Sequence, residues 1–600
     1  MPTSASTSGT RQEPTFPDLP SLGNYTETSD TDATTMCNTA SASTSASTGL
    51  TSTCAPPGRV TPFTLAQQAK LPAHKKYRIT GRIGHYLVKS LRPYSTVEDP
   101  YFRALMNELN PRYDPPNRAC IAERVIPEMY NANLQSLKDE LKKVDHAALT
   151  GDGWTSRTAD HYLTLTAHYI DSDWDLKVKV LQTLKAEVSQ TGDNIAAEIE
   201  QCMNEFGLAG KVEVMTTDNA RAMLNAISKA GIGLSLGCFA HTLNLSLQKV
   251  MAIPAVQNMV GIMRPAITYF KNSYMGKIVF KEKQVALDRP RHSLLLDCKT
   301  RWNSSYVMVS RFLEQYPAVV ASTLDDRIKT NHNFKKLQRC QDEDITRMEG
   351  FARVMLLPFQ ITEAMSAERR PTSGQVLPML EKLRKHLSTN DGDTAFTMKI
   401  KKVIWDDLKT RYQDLDVRNF FEEACALDPR FKSMELVTED VWERLSDAIK
   451  AATEKEVQIK KEPEEVANQA GPSQESVEED TTPAKRRKLS AMQELFKDED
   501  EVVITHMEPA LPVRVRIERE MEKYKRLPKL PSTDDIVAFW RSKQDELPLL
   551  TRHARKYLIV PGTSVPSERV FSTAGDIVKA ERASLDPKNV NMLLFLKKNT

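Results

Sequence analysis

The feature that most constrains this chain is a change of hydrophobic period near Ala147. Before it, apolar residues recur every three or four positions; after it, they alternate. His161 to Ile170 (HYLTLTAHYI) sets a β-former at nearly every position with period two, as a strand against a core does. Ala148 to Asp152 and Leu176 to Leu184 read as strands on either side of it, with Gly153-Trp154-Thr155 as a turn. A helix from Ile195 to Phe206, a strand from Val212 to Thr216 and a helix through Ile227 follow. Three consecutive strands, a helix, a strand and a helix predict a mixed α/β sheet.

The flanks read differently. Ser and Thr fill 21 of the first 50 positions, too few apolar side chains to offset the entropy of ordering, so residues 1–73 are expected to be a disordered tail. Residues 74–146 form a helical module: Ile83, Tyr86, Leu87 and Leu91 stand at helical spacing, Pro93 stops that helix, and Ser95-Thr96-Val97-Glu98 has the capping-box pattern for the next. The first part of the core occupies 147–245, and a helical insertion domain with breaks at its prolines occupies 246–452. Residues 453–513 read as a charged, disordered linker, and 514–600 as an apolar helical unit.

Composition excludes some classes. No run approaches the ~18 apolar residues of a membrane span, so no membrane partner is expected. No basic stretch precedes an apolar core at the N-terminus, so no secretory signal is expected. Eight scattered cysteines fit a reduced, intracellular compartment better than a disulfide framework. A net charge of +3 leaves any polyanion site to local clusters.

Asp152 and Asp218 each end a predicted strand. Carboxylates converging over a sheet edge can hold two divalent ions for phosphoryl transfer, and Mg²⁺ prefers such ligands; an acid in that place can equally cap a helix. Cys238 and His241 offer zinc-type ligands at CxxH spacing with no second pair nearby, so a buried thiol and a core histidine is the competing reading.

Six motifs stand in order: Gly151-Asp152-Gly153-Trp154-Thr155-Ser156, Thr216-Thr217-Asp218-Asn219-Ala220, Cys238-Phe239-Ala240-His241-Thr242-Leu243-Asn244, Thr300-Arg301-Trp302-Asn303-Ser304, Leu427-Asp428-Pro429-Arg430-Phe431-Lys432 and Pro566-Ser567-Glu568-Arg569 onward to Gly575. Together they resemble the hAT superfamily of DNA transposases, and especially the animal proteins derived from them that carry a BED zinc finger. The resemblance implies an RNase H-like core interrupted by the helical insertion. It implies Asp152, Asp218 and Glu568 as catalytic acids and metal ligands, with Mg²⁺ or Mn²⁺ as cofactor if the core is active. It places Cys238 and His241 near that site, ordering DNA. Trp302 matches a tryptophan that stacks on a base near the cut, a role set against that of a core residue. The C-terminal region implies a homodimer, with Phe539, Trp540, Leu549, Leu550 and Phe571 as its dimerisation residues. The Cys₂His₂ finger of BED-type relatives is not found, so Lys75, Lys76 and Arg82 are the candidate DNA contacts, against the reading of a solvated face.

The linker adds two signals. Lys485, Arg486, Arg487 and Lys488 form a compact basic cluster that reads as a nuclear localisation signal, implying an import receptor and the nucleus. Ile459-Lys460-Lys461-Glu462 looks like a SUMO acceptor at Lys460, and Asp498 to Ile504 like a SUMO-binding strand. The expected function is a domesticated, homodimeric nuclear protein that associates with DNA and regulates transcription. An active transposase cutting DNA with two metals and a SUMO ligase are the alternatives.

Overall fold

The computed structural model describes residues 71–156, 159–186, 188–298, 302–366, 370–468, 511–577 and 585–600. The expected N-terminal tail, the basic cluster Lys485–Lys488 and the segment Asp498 to Ile504 lie outside them. Lys460 falls on helix Glu439–Asn468, and its side chain is outside the described residues.

Five strands make one mixed sheet: β1 (Ala147–Thr155), β2 (His161–Ile170), β3 (Leu176–Lys185), β4 (Val212–Thr217) and β5 (Leu234–Gly237), in spatial order β3-β2-β1-β4-β5. The β1–β2 and β2–β3 pairs are antiparallel; β1–β4 and β4–β5 are parallel. The mixed sheet stands as expected, with two differences. β1 runs on through Gly153-Trp154-Thr155, because these residues pair with Leu163, Tyr162 and His161 instead of turning. β5 had no signal in the sequence, being four residues bounded by glycines.

The two faces of the sheet differ in chemistry. One face presents Leu149, Leu163, Leu165, Ala167, Tyr169 and Met215 to helices Gly192–Glu205 and Arg221–Lys229, in an apolar layer. Gly151 belongs to this packing: a Cβ there would run into Met215. The opposite face carries Thr150, Asp152, Thr164, Thr166 and His168, all buried although polar. Helix Val565–Ile577 lies against β1 and β2. The alternation in β2 therefore marks two buried faces, one apolar and one polar.

The N-terminal helices are not a detached module. Ile83, Leu87 and Val88 of helix Ala73–Lys89 share a core with Tyr162, Val180, Val570, Ala574 and Leu594. The helix after Pro93 is capped by Asp99, whose Oδ1 accepts from Tyr101 and Phe102 N–H, with Pro100 in its first turn. Ser95 to Glu98 instead lies in a short 3₁₀ turn, and Glu98 accepts from Arg118 N–H at 2.8 Å.

The helical region continues from Phe239–Met251 to Glu439–Asn468, past the boundary expected at 452. No single described helix is long and apolar enough to cross a membrane. Helices Phe239–Met251 and Pro254–Asn272 together reach such a composition, but they meet at 83° and their apolar residues lie in the largest core.

The Leu427-to-Lys432 motif is a socket for the C-terminal unit. Arg430 forks onto Asp428 at 2.9 and 2.7 Å, with both side chains buried. Lys432 Nζ donates to Leu527 O at 2.6 Å and also to Tyr524 O, at the end of helix Val513–Arg526. Trp540 Nε1 donates to Leu427 O at 3.0 Å and Tyr524 Oη to Ala426 O at 3.1 Å. This corrects the expected dimer surface at two positions, Trp540 and Leu550, which are buried within the chain; Phe539 and Leu549 pack half-buried against the same core and keep part of their surface open. Arg430→Ala leaves Asp428 buried and unpaired, so it should cost about 3–5 kcal/mol, read as a lower urea midpoint.

Candidate active site

Asp152 is the sixth residue of β1 and is 8% exposed. In the parallel register Gly151 pairs with Thr217, so Asp218, one residue beyond, stands beside Asp152 at the end of the neighbouring strand. The Asp218 carboxylate accepts from Ala220 N–H at 3.1 Å. Glu568 arrives on the first turn of helix Val565–Ile577, where the backbone N–H groups favour an anion. Ser564 Oγ donates to its Oε1 at 3.4 Å.

Of these three acids, remote in sequence, Asp152 feels the charges of the other two. Burial is the largest cause that pushes the Asp152 carboxyl up, to about 8, followed by the charges of Glu568 and Asp218. A buried carboxyl perturbed by two charged neighbours marks a candidate functional site.

Cys238 and His241 resolve into a cap. Cys238 precedes helix Phe239–Met251, and its Sγ accepts from His241 N–H at 3.4 Å. The thiol is fully buried and pushed up to about 11, by burial first, with the Glu568 charge adding to it. Its neighbour Phe239 N–H donates to Gly562 O at 2.9 Å, so the motif holds the segment that leads to Glu568. Trp302 is 3% exposed and packs inside the large core. Lys76 and Arg82 are exposed on helix Ala73–Lys89, with Lys75 half-buried on the same helix. Phe571 is half-buried, its ring centroid 5.8 Å from that of Trp154.

Two sets of residues had escaped the sequence reading. Trp154, two positions after Asp152 on the same strand face, stacks on Tyr162 at 4.7 Å. Thr150, Thr166, His168 and Ser567 form a polar cluster beneath the acids. The T-L-T alternation of β2 was its one sequence signal.

The Asp152 shift has a pH consequence. Its folded value lies above the unfolded one near 3.8, so ionising it costs stability progressively as pH rises from about 4 to about 8. In chelator, Asp152→Asn should melt higher than wild type at pH 8 and equal to it at pH 4. Parallel thermal melts at both values check this.

Comparison with known proteins agrees with this architecture. Residues 150–233 match the ZBED1 RNase-like domain, 236–348 the ZBED1 RNase-like helical domain, and 520–600 the hAT family C-terminal dimerisation region. The chain is 24% identical over 546 residues to Zinc finger BED domain-containing protein 4 of Homo sapiens, covering 88% of this chain and 44% of that protein. It is 23% identical over 526 residues to Putative AC transposase of Zea mays, covering 84% and 63% respectively. With Zinc finger BED domain-containing protein RICESLEEPER 2 of Oryza sativa subsp. japonica it shares 24% over 577 residues, covering 88% and 76%. The chain thus spans less than half of the human relative and under two thirds of the maize one. An RNase-like domain, its helical companion and a hAT dimerisation region are thus matched in that order, in a chain that is similar over most of its length to BED zinc finger proteins and to hAT transposases.

Proposed function

We propose that this chain is a nuclear, homodimeric protein of transposase descent that associates with DNA and acts in transcription regulation. The observation that supports it is the joining of a hAT dimerisation region to an RNase-like body whose first helix turns Lys76, Arg78 and Arg82 to solvent. Phosphate contacts of that kind position a protein on DNA without reading sequence. Lys485, Arg486, Arg487 and Lys488 supply the import signal.

The full chain should sediment as a dimer and shift a labelled duplex. Lys76→Ala and Arg82→Ala should each flatten the slope of log affinity against log salt by about 1. Alanines at 485–488 should leave the protein in the cytoplasmic fraction. A monomer whose salt slope ignores both substitutions sinks this reading.

A second reading, metal-dependent DNA strand cleavage, is favoured by the burial of Asp152 under the charges of Glu568 and Asp218. The donor set suits the metal: three carboxylates offer the hard oxygens that Mg²⁺ and Mn²⁺ take. In the conformation seen, no three acid, histidine or cysteine side chains among the described residues stand close enough together to hold an ion. Asp152, Asp218 and Glu568 are the residues that would hold it. Bound there, it would supply charge neutralisation for phosphodiester cleavage. The chain's own part is to keep Asp152 on β1 beside Asp218, which follows β4, with Glu568 on the helix that packs against β1 and β2.

Labelled DNA incubated with the full chain and Mn²⁺ or Mg²⁺ tests it. Asp218→Asn and Glu568→Gln should each reduce nicking by about 10³-fold or more while the protein stays folded. Absence of nicking by a folded, DNA-bound wild-type dimer leaves the regulatory reading standing alone.

A further inference from the structure

The helix that carries Glu568 meets the sheet through hydroxyls. Ser567, the residue before Glu568, is fully buried, and its Oγ lies 2.6 Å from Thr150 Oγ1 on β1 and 3.5 Å from Thr166 Oγ1 on β2. Thr150 and Thr166 face each other in the antiparallel register, and their hydroxyls bond to one another. His168 Nε2 closes the cluster, 3.1 Å from Thr166 Oγ1 and 3.3 Å from Thr150 Oγ1. Burial holds this imidazole neutral, pushed down to about 3.

Packing alone does not ask for these residues. A buried hydroxyl loses water and regains it only through a well-made hydrogen bond, whereas apolar groups of the same shape are close to neutral or better. The opposite face of the same strands shows that alternative, with Leu149, Leu163, Leu165 and Ala167. An apolar contact can also slide along the sheet, and a directional bond between two short side chains cannot. Thr150 precedes Asp152 by two residues on the same strand face, and Ser567 immediately precedes Glu568. One bond therefore joins the two acid-bearing elements a single step from the acids, across 417 residues of sequence.

We infer that Ser567, seated on Thr150 and Thr166 and backed by His168, is the positioning residue that fixes Glu568 against Asp152 and Asp218. The activity arm of its test rests on the strand-cleavage reading; a second arm does not.

The test compares the full-length wild type with Ser567→Ala, Thr150→Val, Thr150→Ser and Glu568→Gln. Thr150→Val keeps the shape and loses the hydroxyl, while Thr150→Ser keeps the hydroxyl and loses the methyl. If the site is positioned by these bonds, Ser567→Ala and Thr150→Val weaken Mn²⁺ binding, read by electron paramagnetic resonance, by about 10- to 100-fold. They lower kcat for nicking over a similar range with KM for DNA unchanged, and Thr150→Ser stays near wild type. A merely structural role gives the opposite order, because Val fills the buried site better than Ser. The second arm is hydrogen exchange over Val565–Ile577, which should quicken in Ser567→Ala and Thr150→Val and not in Thr150→Ser. Wild-type Mn²⁺ affinity, kcat and exchange in Ser567→Ala and Thr150→Val overturn the inference. If wild type neither binds Mn²⁺ nor nicks, the cleavage reading fails by itself, and the exchange order of the two Thr150 variants decides the positioning role alone.

Discussion

The site depends on the hydrogen bonds that bring residues 561–568 back onto a sheet whose last strand ends at Gly237. Thr216 Oγ1 donates to Pro561 O at 2.8 Å, Phe239 N–H to Gly562 O at 2.9 Å, and Gly562 N–H to Thr372 Oγ1 at 2.8 Å. Thr563 Oγ1 reaches Met365 O at 3.2 Å, and Ser567 then meets Thr150. Gly562 is required by this crowding, since a Cβ there would stand 2.9 Å from Val376 Cγ2 and 3.1 Å from Thr372 O. Each bond contributes only about 1 kcal/mol net. Their value is direction: they come from the sheet and from the insertion at once, so Glu568 is placed by both.

The insertion is thus part of the site's frame. Thr372 and Ser373, on a short 3₁₀ turn and its lead-in, hold Gly562 and Tyr557 of the returning chain. The Leu427-to-Lys432 socket holds the helices that come before it, through Trp540, Tyr524 and the end of Val513–Arg526. Glu520 adds another tie, accepting from Leu550 N–H at 2.9 Å. A chain that left the sheet after β5 and returned without these contacts would have Asp152 and Asp218 but no fixed third acid.

What could be read in the sequence follows from how local each signal is. The strands and the mixed sheet rest on period and on turn position within a few residues, and these carry over well, whereas Asp152, expected at a strand end, stands inside β1. β1 was cut short because Gly153 looks like a turn, while its pairing to Leu163 is set by a strand ten residues on. Dimer residues such as Trp540 and Leu550 were misplaced because apolar side chains look alike whether they pack within a chain or between two. Only the carbonyl of Leu427, 113 residues away, reveals which use Trp540 serves. The hydroxyl cluster was hidden for the same reason: Ser567 and Thr150 have nothing local in common.

The charges of the site are relieved unequally, and that inequality has a use. Glu568 sits at the positive end of a helix and accepts from Ser564, and Asp218 accepts from Ala220 N–H. Asp152 has the backbone of Gly153 to set against burial and two like charges. The cluster beneath it, with Thr150, Thr166, Ser567 and a neutral His168, is uncharged. Hydroxyls fix the geometry and leave the charge unanswered. The charge on Asp152 is thus set by burial and its acidic neighbours, while the uncharged hydroxyls below it tie the Glu568 helix to the sheet.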